Sequence, residues 1–118
     1  MNEYQHKSLA AGRWKSLSLS NQMANIGSEI SRAIKWERKK NNDQKINAVV
    51  RGLELIDLTI DDQREKLLEN KSGKSGALKE LTRLREVVCD YFFGDNEYQS
   101  SAANLMKYFD QFAMLSYK

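Results

Sequence analysis

The sequence predicts an all-α protein that folds as an antiparallel, up-and-down four-helix bundle with a short N-terminal extension. Apolar residues recur at spacings of three and four in four separate segments, which is the period of an amphipathic helix. Short polar turns separate these segments, and the chain contains no proline to interrupt them. We expect one domain, residues 1–118, with helices at about 19–40, 44–69, 76–93 and 100–116.

The first long helix is predicted from an apolar stripe that begins just after a capping residue. The hydroxyl of Ser18 can accept a hydrogen bond from a free backbone amide of the first turn. Gly27 lies inside the helix, where glycine costs about 1 kcal/mol relative to alanine. It either permits the close approach of another helix or has no special role. The stripe consists of Leu19, Met23, Ile26, Ile30, Ala33 and Ile34.

The second helix is predicted to follow a turn at Asn41 and Asn42, with Asp43 as its N-cap. Its apolar face is wide, because Leu55 and Leu58 lie beside the main stripe. A face of this width favours a central position in the bundle or contact with a second partner. The predicted stripe is Ile46, Val49, Val50, Leu53, Ile56 and Ile60.

Two further helices follow a loop at residues 70–76 that is rich in glycine and serine. We expect Ser75 to cap the third helix, Gly94 to end it, and Ser100 or Ser101 to cap the fourth. Aromatic residues at helical spacing are more typical of a core than of a base-stacking platform, so we assign both stripes to the core. The third stripe is Leu78, Leu81, Leu84, Val88 and Phe92; the fourth is Leu105, Met106, Phe109, Phe112 and Ala113, extended by Tyr108, Leu115 and Tyr117. The aromatic set includes Tyr91, Phe93 and Tyr98 as well.

The sequence lacks the residue patterns that most enzymes require. His6 is the only histidine, and a lone histidine is usually a surface side chain. Residues 73–75 match the end of a Walker A motif, but Leu68 occupies the position of the required upstream glycine. Cys89 is the most obvious nucleophile, with no base and orienting group at an interpretable spacing. We therefore expect no enzymatic activity, no cofactor and no small-molecule substrate, although residues alone do not exclude an enzyme.

The second helix carries an acidic edge that allows two interpretations. Glu54, Asp57 and Asp61 are spaced three and four apart, and Asp62 adjoins them. They either bind a divalent metal or form ion pairs. Bundles that bind two iron ions combine glutamates with Glu-x-x-His motifs, which this chain lacks, so we expect no metal. The expected ion-pair partner is Arg32, Arg83 or Arg85.

The net charge of +3 is unevenly distributed along the chain. Residues 1–41 contain eight Lys or Arg against three acids, giving +5. Residues 42–70 contain four against seven, giving −3, and residues 71–118 contain seven against six, giving +1. The basic and acidic parts either neutralise each other as neighbouring helices or leave the basic part facing a polyanion.

The polar face of the first helix forms a basic ridge, because Ser28, Arg32, Lys35 and Lys39 follow one another at spacings of four, three and four. One interpretation is a solvated face, with cations favoured near the helix C-terminus by its dipole. The other is a nucleic-acid surface. In either case we expect a positive pole around residues 32–40. The candidate nucleic-acid contacts are Arg13, Lys15, Arg32, Lys35, Arg38 and Lys39.

The expected location is the cytoplasm. The N-terminal residues lack the apolar core of a signal peptide, and no apolar run approaches the roughly 20 residues of a membrane span. The single cysteine, Cys89, cannot form an internal disulfide, as is usual in a reducing compartment. We expect no membrane association.

The helical plan resembles the small bacterial four-helix-bundle proteins of the ribosomal-RNA intervening-sequence type and related retroelement accessory proteins. The local match is Ala24-Asn25-Ile26 followed by Glu29. That family tends to carry an Asn-Ile-Ala-Glu-Gly stretch, whereas here Gly27 and Ser28 replace the alanine and the glutamate falls one place later. The resemblance implies ring-like oligomers and, for some members, contact with nucleic acid.

Two functions are therefore expected, in order of preference. The first is a non-enzymatic helical-bundle interaction or accessory protein that forms a homo-oligomer or binds a partner protein. The wide apolar face of the second helix and the aromatic-rich fourth helix favour it. The alternative is a nucleic-acid-binding protein that uses the basic face of the first long helix.

Overall fold

Four α-helices form an antiparallel bundle, preceded by a short 3-10 helix at Trp14–Ser16. The computed structural model describes residues 12–69 and 75–116, with side chains for residues 12–69 and 76–112. The predicted all-α class, four-helix bundle and short N-terminal extension are confirmed. The helices are α1 (Leu19–Arg38), α2 (Asn42–Leu68), α3 (Ser75–Phe93) and α4 (Ala102–Ser116).

A few of the sequence predictions lie outside the described residues. They concern His6, the loop at residues 70–74, the capping side chain of Ser75, and the side chains of Ala113, Leu115 and Tyr117.

The helices are not packed equally against one another. α1 packs against both α2 and α4, and α2 also packs against α3, whereas the backbones of α3 and α4 make few close approaches. The core lies between the four helices and is formed mainly by aliphatic side chains. Within the described ranges, no helix contains an apolar stretch long enough to cross a bilayer. The main core residues are Met23, Ile26, Ile30, Val49, Ile56, Leu81, Val88 and Phe109.

Two helix starts agree with the predicted caps. The Oγ of Ser18 accepts a hydrogen bond from the backbone N–H of Asn21 at 3.1 Å. In the same way, the Oγ of Ser101 accepts from the backbone N–H of Asn104 at 3.1 Å. Each hydroxyl accepts from a first-turn amide that has no partner within its own helix. These serine caps therefore determine where α1 and α4 begin.

The start of α2 differs from the prediction. Asn41, not Asp43, is the N-cap, because its side-chain oxygen accepts from the backbone N–H of Gln44 at 3.1 Å. Asparagine caps a helix about as well as aspartate does. Asp43 lies instead in the first turn, where its negative charge is favourable next to the positive end of the helix dipole.

The apolar face of α2 is rotated from the predicted one. Ile46 and Val50 were expected in the core, but they are 36% and 38% exposed. The buried arc is centred closer to Leu55 and includes the small residues Ala48 and Gly52, which let α1 approach. The position of this arc depends on which neighbour α2 contacts most closely, and the periodicity of the sequence does not specify that.

The aromatic residues divide between the core and the surface. Phe92 and Phe109 are buried, as predicted, whereas Phe93 is 54% exposed and Tyr98 is 44% exposed. The core assignment is therefore wrong for these last two residues. Phe93 is the final residue of α3 and Tyr98 lies in the connection to α4, so the other helices do not cover them.

Trp14 attaches the N-terminal extension to the end of the bundle. Its ring is buried, and its Nε1–H donates to the Oγ1 of Thr59 at 3.1 Å. The side-chain amide of Gln22 donates to the carbonyl of Trp14 and to the carboxylate of Asp62, both at 3.0 Å. Lys66 pairs with the same carboxylate at 3.0 Å. Trp14 therefore closes one end of the core.

The connection between α3 and α4 is built around Asp90. Its carbonyl accepts from the backbone N–H of Asn96 at 3.2 Å, and its carboxylate accepts from those of Glu97 and Tyr98 at 2.8 and 3.0 Å. Asn96 adopts a left-handed conformation (φ 54°), which asparagine tolerates. Its side-chain amide exchanges two hydrogen bonds of 2.9 Å with the backbone of Ser100. The turn therefore has a dense set of hydrogen bonds of its own.

Candidate interaction surfaces

An apolar cleft separates α3 from α4, and we call it the α3/α4 cleft. It has a volume of about 250 Å³. Leu84 and Leu105 are buried, and Val87 and Tyr108 are partly exposed along its walls. Its lining residues are Glu80, Arg83, Leu84 and Val87 from α3 and Ser100, Asn104, Leu105 and Tyr108 from α4 or just before it.

One hydrogen bond crosses this cleft. The hydroxyl of Tyr108 donates to the Oε1 of Glu80 at 2.6 Å. Burial of the ring, together with this bond and the negative charge of Glu80, raises the pKa of Tyr108 above its usual value of 10.0. The tyrosine therefore stays neutral at physiological pH and acts as a donor. This bond joins two helices whose backbones remain apart.

The surface that lines the α3/α4 cleft is mainly apolar. Its lining contains no cysteine or histidine, and its one short carboxylate contact is to the neutral hydroxyl of Tyr108. Elsewhere in the described residues, no group of three or more His, Cys, Asp or Glu could hold a metal ion. The cleft can therefore accept apolar side chains from another molecule, with Glu80 and Arg83 available for polar contacts at its edge.

A second, more polar groove lies between α1 and α4. It has a volume of about 440 Å³, and Phe109 and Gly27 contribute apolar surface to it. Arg32 and Lys35 from α1 bring positive charge, and Asp110 from α4 brings one negative charge. The groove thus leads from the core contact of α4 to the basic ridge.

The second half of α1 carries the cluster that we call the basic end: Arg32, Lys35, Arg38, Lys39 and Lys40. Arg32 lies 3.2 Å from the Oε1 of Glu29, and Arg51 of α2 lies 3.3 Å from the same oxygen. A single carboxylate therefore faces two guanidinium groups, and this trio keeps a net positive charge. Lys35, Arg38 and Lys39 are exposed on the outer surface.

The acidic edge of α2 is paired elsewhere. Asp57 binds Arg85 of α3, with Nε 2.8 Å from Oδ1, as predicted. Asp61 lies 3.6 Å from Arg64, and Asp62 lies 3.0 Å from Lys66. Within the described residues, no ion pair joins Asp57, Asp61 or Asp62 to the basic end.

The other two predicted partners of the acidic edge have different contacts. Arg32 contacts Glu29, and Arg83 lies over the ring of Tyr98, 5.7 Å from its centroid. In the described part of the chain neither arginine forms an ion pair with Asp57, Asp61 or Asp62. Of the three alternative partners, the structure confirms Arg85.

Two of the six candidate nucleic-acid contacts, Arg13 and Lys15, lie near the start of α1, at the opposite end from the basic end. Arg13 is exposed just before the 3-10 helix, and Lys15 pairs with Glu65 near the end of α2. The hydrogen bond to Glu65 is the largest cause that raises the pKa of Lys15. Because a helix of this length spans about 30 Å, Arg13 and Lys15 are separated from the basic end. The six candidates thus form two groups and not one surface.

Trp36 lies among the cations of the basic end, and the charge pattern of the sequence did not single it out. Its ring is half-buried, and the Nζ of Lys39 lies 5.3 Å from the ring centroid. Glu37, the one acid among residues 32–40, accepts a hydrogen bond from the hydroxyl of Tyr91 at 3.1 Å. The sequence signal that could have identified Trp36 is its position as an aromatic residue within a run of Lys and Arg.

Comparison with known proteins gives no relative for this chain. No protein-family model, no curated protein and no solved structure matches it. The resemblance to the intervening-sequence proteins therefore stays a prediction.

Proposed function

We propose that this protein is a non-enzymatic interaction protein that assembles with itself or with a partner protein through the α3/α4 cleft. The observation that supports this proposal is the cleft itself, where Val87 of α3 and Tyr108 of α4 are partly exposed beside two buried leucines. Its apolar walls are Leu84, Val87, Leu105 and Tyr108. Fully burying one leucine-sized side chain of a partner in such a site contributes about 1.5–3 kcal/mol.

A charge placed in the cleft tests this proposal. Val87→Glu puts a carboxylate on the apolar wall, and we expect it to abolish assembly because an unpaired charge would be desolvated there. Thr82→Glu is the matched control, since Thr82 is exposed on the same helix and does not line the cleft. Sedimentation equilibrium over a concentration series would measure the mass of each variant. A wild-type chain that stays monomeric at every concentration would contradict self-assembly.

The second candidate function is nucleic-acid binding at the basic end. It is favoured by one observation: the acidic residues Asp57, Asp61 and Asp62 have partners other than these cations. Exposed ion pairs stabilise folded proteins by only about 0–1 kcal/mol each, so folding gives little reason to concentrate charge here. A phosphate backbone is a polyanion that such a cluster would attract.

Charge reversal separates the two basic groups. Changing Arg32, Lys35 and Lys39 to Glu together should abolish binding of a labelled oligonucleotide. Changing Arg13 and Lys15 to Glu should have a smaller effect, since Lys15 is already paired with Glu65. The wild-type affinity should fall with salt at a log–log slope of about −0.9 per duplex phosphate neutralised. If the affinity changes neither with salt concentration nor with the triple substitution, the basic end is not the nucleic-acid-binding site.

The proposed setting is the reducing bacterial cytoplasm. The single cysteine supports it, because Cys89 has no partner for an internal disulfide. Both candidate functions agree with the proposed resemblance to the intervening-sequence proteins.

A further inference from the structure

We infer that the basic end of α1 binds single-stranded nucleic acid in preference to duplex, by stacking an unpaired base on Trp36 while the surrounding cations contact phosphates. This inference rests on the second candidate function and names its substrate class. It also assigns a role to Trp36, a partly exposed aromatic residue that lies among these cations.

The two tryptophans of the chain are in opposite situations. Trp14 is buried, and its indole N–H donates to Thr59. Trp36 is half-buried and is not one of the described side chains that pack against the core. Its indole N–H donates no hydrogen bond to any described residue. The folded chain therefore buries Trp14 in its core and leaves part of the Trp36 ring accessible at the surface.

The position of Trp36 on α1 places cations on the same side of the helix. Arg32 lies four residues before it and Lys39 three residues after it, the spacings at which helical side chains are neighbours. The ammonium group of Lys39 is 5.3 Å from the ring centroid. A base stacked on this ring would bring its phosphate close to Lys39 and Arg32.

This combination of ring and cations distinguishes single strands from duplexes. Every base has a π-face that can stack on an aromatic side chain, and cations follow the backbone regardless of sequence. In a duplex the bases are already stacked on one another, and reaching one costs unpairing energy of a few kcal/mol. The cations alone would bind both forms, so stacking on Trp36 is the part that favours the single strand.

Tyr98 shows which part of this environment matters. Tyr98 is an exposed aromatic residue, and like Trp36 it has a cation near its ring, since Arg83 lies 5.7 Å from the centroid. Its surroundings, however, are acidic: its hydroxyl donates to Glu86 at 2.9 Å and its backbone N–H donates to Asp90 at 3.0 Å. These carboxylates would repel phosphate. Tyr98 is therefore the matched control for Trp36.

The experiment compares two probes, a fluorescein-labelled oligothymidylate and a mixed-sequence DNA duplex of the same length, by fluorescence anisotropy at low salt. Trp36→Ala should weaken binding of the single strand by about 5- to 150-fold, the range expected for one stacked base. Binding of the duplex should change by less than about twofold, because the phosphate contacts are kept. Trp36→Phe should restore most of the single-strand affinity, and Tyr98→Ala should leave both affinities unchanged.

Tryptophan emission gives an independent measurement of stacking. Unlabelled oligothymidylate should quench the wild-type emission, because a stacked base contacts Trp36. In Trp36→Phe, only the buried Trp14 emits, and it should not be quenched. Circular dichroism of each variant would verify that the helices are intact.

The possible failures are distinguishable. If Trp36→Ala lowers the affinity for both probes equally, or for neither, stacking on Trp36 is overturned. The nucleic-acid function itself would still hold if binding depends on Arg32, Lys35 and Lys39. Absence of binding by the wild-type chain to both probes would overturn the function and the inference together.

Discussion

The two sides of α4 differ in how closely the neighbouring helix approaches. Toward α1, a Cβ placed on Gly27 would lie only 2.7 Å from the Cβ of Phe109, so these helices are as close as a glycine allows. Toward α3, Leu84 and Leu105 line an open cleft, and a side-chain hydrogen bond crosses it. One helix therefore combines a tight contact with an unfilled one. The distance between neighbouring helices in this bundle therefore depends on the size of the residues where the helices meet.

Removing the ring at the tight contact should have the largest effect. Phe109→Ala deletes a buried side chain that packs on Gly27, and we expect a loss of about 3–5 kcal/mol in the free energy of unfolding. Urea denaturation followed by circular dichroism would measure it. Phe93→Ala is the control, since this exposed phenylalanine should cost about 0.5 kcal/mol or less. Similar losses for both variants would mean that the α1–α4 contact is not a stability determinant.

The next effect in size is expected from adding a methyl group to a helix glycine, and it should differ between Gly27 and Gly52. Gly27→Ala places a Cβ against the Cβ of Phe109, which cannot move without shifting α4, and we expect a net loss of about 1–2 kcal/mol despite better helix propensity. The tightest contact of the new Cβ in Gly52→Ala is 3.1 Å, to the Cδ1 at the far end of the Ile30 side chain. There the propensity gain should offset the crowding to within about 0.5 kcal/mol. Thermal unfolding of both variants would decide it, and an equally stable Gly27→Ala would contradict the close contact.

The smallest effect is expected on the open side. Tyr108→Phe removes the hydrogen bond to Glu80 and should cost about 0.5–1.5 kcal/mol near neutral pH. Because the pKa of Tyr108 is raised in the folded state, the unfolded chain loses this proton first, so the contribution fades as pH rises above the ordinary value of 10.0. The stability gap between wild type and variant should therefore narrow in alkali.

Urea titrations of both proteins at about pH 7 and about pH 11 would measure that gap. Comparing the two proteins cancels the shared effect of lysine deprotonation. A constant gap would show that the pKa of Tyr108 is the same in the folded and unfolded chain, and a gap that widens in alkali would show that folding lowers it; either result would contradict the raised pKa.

Local features of this fold could be predicted, whereas features that depend on helix neighbours could not. The caps at Ser18 and Ser101 follow from a hydroxyl placed next to free backbone amides. The exposure of Ile46 and Val50 depends on how far α2 rotates toward α1, which the spacing of apolar residues leaves open. Asn41 and Asp43 are comparable caps, so the choice between them required the structure.

The candidate surfaces show the same limit. The basic ridge was visible as a charge pattern, whereas the pairing of Lys15, one of the six candidate contacts, with Glu65 joins residues far apart in the sequence and was not. The α3/α4 cleft was not predicted, since Leu84 and Leu105 have the same periodicity whether or not the two helices meet. Trp36 could have been found as the aromatic residue within a basic run.

The turn around Asp90 has a consequence for association. Its carboxylate and carbonyl hold residues 96–98, and Asn96 is bonded in turn to Ser100 at the mouth of the α3/α4 cleft. The angle between the two helices is thus set by a connection that is already ordered in the free chain. A partner that enters the cleft would find its shape present in advance and would lose little chain entropy in forming it. Replacing Asp90 would make the same cleft a weaker receptor without changing any of its walls.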